Sequence, residues 1–132
     1  MQSLYAACLY VLVTAGVIVF QGALVLGAPL GRFTQGGRYQ GVLPLPARIA
    51  AGLSILLLAV MALAMVSAVG LWPFWPRPAY LALLAFLGLS VILNLITPSK
   101  PERMVFGPIA VLMLALALVP LLTSRAGPPA GP

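Results

Sequence analysis

A single carboxylate, Glu102, stands in a chain of 132 residues with no His, no Asp and one Cys, Cys8. One copy of such a chain cannot assemble the paired carboxylates or the His relay on which proton transfer depends. Zinc needs three or four N, S or O side-chain ligands, which are lacking, and a haem held by His is equally excluded. A disulfide within the chain cannot form from one Cys. No catalytic residue, cofactor or metal ligand is therefore assigned, and an enzyme is the least expected reading.

What remains is chemistry of binding. Arg32 and Arg38 lie in the stretch Gly27 to Pro44, which holds the five glycines 27, 31, 36, 37 and 41. A glycine-rich backbone can turn its amides toward an anion, and the arginines can add charge-assisted bonds to a phosphate or lipid head. Neither the Gly-x-Gly-x-x-Gly spacing nor a Gly-Lys-Ser/Thr ending occurs. The plainer reading, a turn-rich connector, is preferred, since loop glycines serve turns. Ser99-Lys100-Pro101-Glu102 fits a capping box that starts a helix, with Pro101 in the first turn and Glu102 near the positive end of the dipole. Glu102 can also pair with Arg32, Arg38 or Arg48 and so clamp two loops together. Within the apolar runs, Gln21 and Asn94 are the informative polar residues. An amide pair between helices is expected, with a solute path as the alternative.

The elements that position these residues follow from composition. Hydrophobic residues make up 63% of the chain and charged residues only 6%. That leaves a water-soluble globule nothing polar with which to cover itself. Apolar runs at about 3–28, 47–71, 78–97 and 104–123 are each long enough to cross a bilayer as a helix, and too long for barrel strands. The expected fold is all-α: one polytopic domain of four transmembrane helices, with a flexible Gly/Pro-rich tail over 124–132. Met1-Gln2-Ser3 lacks the basic start of a signal peptide, so the first run is expected to stay as a helix. Gly16, Gly22, Ala47, Ala51 and Gly88 mark places where helices can approach closely. Cys8 reads as a small packing residue.

Four spans put the first and third loops on one side. That side carries Arg32, Arg38, Arg48, Lys100 and Arg103, against Arg77 and Arg125 on the other. The positive-inside bias places the five cations in the cytoplasm and both termini outside. These five residues are expected to contact anionic lipid or an acidic partner surface. The formal charge of +6 does not read as nucleic-acid binding, because the cations are scattered between apolar spans. In the second loop, Trp72, Phe74 and Trp75 suit the headgroup layer, with a cation cage as the sharper reading.

Two loop patterns add a resemblance. Gly27, Pro29, Gly31, Gly36, Gly37, Arg38, Leu43, Pro44 and Arg48 form one; Asn94, Pro98, Ser99, Glu102, Arg103 and Pro108 form the other. Together they resemble small four-helix bacterial integral membrane proteins of uncharacterised function. In those proteins an aromatic often precedes the Gly-Gly pair, where this chain has Gln35. The resemblance implies four helices and one cytoplasmic surface built from both loops, and no activity. The expected function is a non-catalytic subunit or accessory protein in a larger membrane complex of the bacterial inner membrane. A self-associating transporter or channel is the alternative.

Overall fold

The computed structural model describes residues 2–126. They form four helices: α1 (Gln2–Val25), α2 (Leu45–Ala68), α3 (Arg77–Ile96) and α4 (Lys100–Ala126). No strand occurs among the described residues, and all four helices are long and apolar enough to cross a membrane. Each helix packs against its neighbours in sequence, and α1 closes the ring against α4. The α2–α3 seam is the most loosely packed of the four.

Local chemistry explains where each helix starts and stops. The N–H of Ala28 bonds the Ala23 carbonyl (2.9 Å) and that of Gly27 the Leu24 carbonyl (3.1 Å), with Gly27 at φ +99°. This is a Schellman end, which needs a left-handed residue that only glycine adopts cheaply. It recurs after α2, with Leu71 to Val66, Gly70 to Ser67, and Gly70 at φ +85°. Prolines open the next helices: Pro44 and Pro76 occupy the N-cap positions, while Pro46 and Pro78 lie in the first turns. A proline lacks an N–H where the helix has no partner for one. Against the sequence expectation, α1 stops three residues early. At the other end of the chain α4 starts at Lys100, four residues before its apolar run. The capping signal therefore set that boundary, not hydropathy. It also continues through Ala126, so the expected tail is helical over 124–126, while 127–132 lie outside the described residues.

The core has two parts. The larger gathers Tyr10, Met65, Tyr80, Leu83, Leu87 and Ala117 among others, toward the end that carries the chain termini. There the hydroxyls of Ser3 and Thr123 hydrogen-bond at 2.9 Å, joining the start of α1 to the end of α4. The smaller part, Leu24, Leu43, Ala47 and Ala51, seals the opposite end beneath the first loop. Ala47 and Ala51 are buried as expected of close-packing positions. Gly16, Gly22 and Gly88 are not, having open space where a side chain would start. Among the glycines within helices the close contact is instead Gly107, whose added Cβ would lie 3.3 Å from Leu95. Cys8 is exposed rather than packed. Trp72 and Phe74 project outward, whereas Trp75 turns in against the larger core.

Tyr80 performs an unusual task in α4. Its hydroxyl donates to the Ala117 carbonyl and accepts from the Leu121 N–H at 3.2 Å. An uninterrupted helix would join Leu121 to Ala117 directly. The hydroxyl thus reaches both ends of that rung, one residue from Pro120.

Candidate functional site: the loop face and the cavity beneath it

The first and third loops meet at one end of the bundle, and Ser99 is the joint. Its Oγ accepts the N–H of Glu102 at 3.2 Å, as an N-cap should, and donates to the Arg32 carbonyl of the first loop. The reciprocal half of the capping box is absent. The Ser99 N–H goes to Thr97 Oγ1 (3.3 Å), and the Glu102 carboxylate accepts the N–H of Gly36 (3.1 Å). Glu102 thus ties α4 to the first loop through a backbone amide. The alternative pairing with Arg32, Arg38 or Arg48 does not form among the described residues. The glycine loop does present an amide to an anion, and the anion is the chain's own.

That geometry explains the glycines. Gly36 and Gly37 stand at φ +71° and +70°, and a Cβ on Gly37 would lie 2.8 Å from that of Ser99. At Gly31 an added Cβ would fall 1.9 Å from the Tyr39 carbonyl oxygen, so the loop closes only over a bare backbone. Gln35, at φ +51°, donates from Nε2 to the Ala47 carbonyl at 3.0 Å. Residues of turn type thus carry the tertiary contact, which loop composition alone does not reveal.

The arginines divide into two kinds. Arg48 donates from Nε and Nη2 to the Val25 carbonyl (2.9 and 2.6 Å), and Arg103 from Nη1 to the Thr97 carbonyl (2.9 Å). Each is the fourth residue of its helix and reaches back to the end of the preceding one. Each places a cation where the orphan carbonyls and the negative end of the dipole favour it. Sequence reading grouped both with lipid and partner contacts and missed this role. The signal was the shared spacing between helix start and arginine in the two helix pairs. Arg32, Arg38 and Lys100 are exposed, with Arg32 over the Phe33 ring (4.9 Å) and Arg38 over Tyr39 (5.6 Å).

Between the two cores lies a cavity of about 270 Å³. All four helices and the first loop line it. Gln21, Thr34, Ser54, Ser90, Asn94 and Glu102 are its polar residues, and Phe20, Phe33, Phe86 and Phe106 its rings. Phe20 and Phe106 pack with centroids 4.8 Å apart. Gln21 and Asn94 share this wall without forming the expected bond between helices. Asn94 donates from Nδ2 to the Ser90 carbonyl of its own helix (2.7 Å). Leu57 and Phe86, each 40% exposed, belong to the cavity wall at the α2–α3 seam. They and Met61 also line a second, more apolar hollow of about 220 Å³ that continues along α2 and α3 to Trp75. No group of His, Cys, Asp and Glu that could hold a metal ion occurs among the described residues. No family model, curated protein or solved structure matches the chain.

Proposed function

We propose that this chain is a small non-catalytic subunit of a larger membrane assembly, with its loop face in the cytoplasm of a bacterial cell. One observation carries the reading. The polar groups that gather at the loop face bind the chain's own backbone: Glu102 to Gly36, Ser99 to Arg32, Arg48 to Val25, Arg103 to Thr97 and Gln35 to Ala47. This is how a structural platform is built, and it leaves no acid and base set facing a substrate. Outside the platform stand Arg32, Arg38 and Lys100, which suit anionic lipid heads or an acidic partner surface. The five-to-two bias of cations supports the cytoplasmic placement of this face.

The alternative, a self-associating path for a small solute, draws on Gln21 and Asn94 meeting in one cavity. Gentle extraction of the tagged chain from its native membrane, followed by native mass spectrometry, separates the two. A defined complex with larger subunits is expected. A homodimer or lone monomer overturns the subunit reading, and solute flux in liposomes, wild type against Gln21→Leu and Asn94→Leu, then tests the path.

A further inference from the structure

The chain carries seven cationic side chains and one carboxylate, yet none of those cations pairs with that carboxylate among the described residues. The guanidinium groups of Arg48 and Arg103 are turned to carbonyls, and those of Arg32 and Arg38 lie over rings. One oxygen of Glu102 accepts the Gly36 N–H, and its other oxygen takes no hydrogen bond from the described residues. Glu102 is only 8% exposed and forms part of the cavity wall. Its neighbours there offer further acceptors in the side-chain carbonyl oxygens of Gln21 and of Asn94, one of whose two amide N–H groups goes to Ser90. The Phe20–Phe106 pair adds ring faces. Polar groups away from bulk water need partners.

We propose that the cavity binds a single-chain amphiphile with a cationic amine head, which enters from the bilayer between α2 and α3. An ammonium group supplies the positive charge that no side chain of this wall carries, with three N–H donors for the carboxylate and amide oxygens, and ring faces attract it as well. An anionic head would meet repulsion from Glu102, and a neutral one would leave the carboxylate uncompensated. The alkyl chain follows the seam past Leu57, Met61 and Phe86 toward Leu83 and Trp75. From Ala79 to Asn94 this track is about 22 Å long at the helical rise, most of the depth of the hydrocarbon. The site is complete within one chain, so it stands or falls independently of any partner subunit.

The test uses the purified full chain in nanodiscs and an alkylamine bearing a diazirine next to the amine. Photolabelled positions are read by mass spectrometry. Labelling is expected to concentrate on Gln21, Asn94 and Phe106, the residues around the amine. Dodecylamine should displace the probe, whereas dodecan-1-ol and dodecanoate, at matched mole fraction in the bilayer, should not. Glu102→Gln keeps an oxygen for the Gly36 amide but removes the charge, and it should weaken labelling at least tenfold. Phe86→Trp, which fills the seam without touching the loops, should do the same at unchanged thermal stability. Labelling spread evenly over the lipid-facing residues, equal competition by the alcohol, or undiminished labelling of Glu102→Gln would overturn the proposal.

Discussion

Replacing Tyr80 by Phe tests whether a side-chain hydroxyl supports the turn of α4 beside Pro120. The ring is 5% exposed and its oxygen bridges Ala117 and Leu121. Tyr80→Phe keeps the packing and removes two hydrogen bonds. Hydrogen bonds between membrane helices average about 0.6 kcal/mol and reach about 1.7, so a loss of about 1–3 kcal/mol is expected. The sharper expectation concerns context. Pro120 removes a backbone N–H from this turn and its ring crowds the preceding carbonyl, so the helix there leans on the hydroxyl. In a Pro120→Ala background the helix regains a backbone N–H in this turn, and Tyr80→Phe should then cost less than half as much. A double-mutant cycle gives the coupling, with unfolding followed by SDS titration in mixed micelles. Equal costs in the two backgrounds would refute the bridge, as would a cost below about 0.3 kcal/mol in the native background, half the average for one such bond.

Three further outcomes follow from the loop face. Gly31→Ala should disrupt the first loop, because its Cβ would fall on the Tyr39 carbonyl, whereas Gly41→Ala meets open space; proteolysis of the loop in nanodiscs should accelerate for the first and not the second. Arg48→Met and Arg103→Met each remove a cation from a helix C-terminus and should cost about 0.5–2 kcal/mol, with Arg48 the larger because it makes two bonds to one carbonyl; equal stability of wild type and both variants in the same titration would count against the capping role. Ser99→Ala loses an N-cap and a loop contact together and should cost about 1–2 kcal/mol, with faster amide exchange at both Glu102 and the first loop; faster exchange at only one of them would show that Ser99 does not join the two.

The sequence alone was enough for four membrane-crossing helices, because runs of apolar residues this long have no other stable disposition of their backbone polar groups. It was also enough for the start of α4. The Ser99 side chain and Pro101 act within one helical turn, and such local contacts need no knowledge of the rest of the fold. The contacts between distant segments were beyond it. Nothing in the order of residues says that Glu102 binds the amide of Gly36, because any loop N–H in reach can serve a carboxylate. Likewise Arg48 and Arg103 read equally well as topology signals, since a carbonyl left open by one helix gains a partner only when the next returns beside it. Gln21 and Asn94 were legible as interior polar residues at similar depth. That they face one cavity, and not each other, depends on how far apart packing holds the helices, the Phe20–Phe106 contact included, which is a property of the assembled bundle.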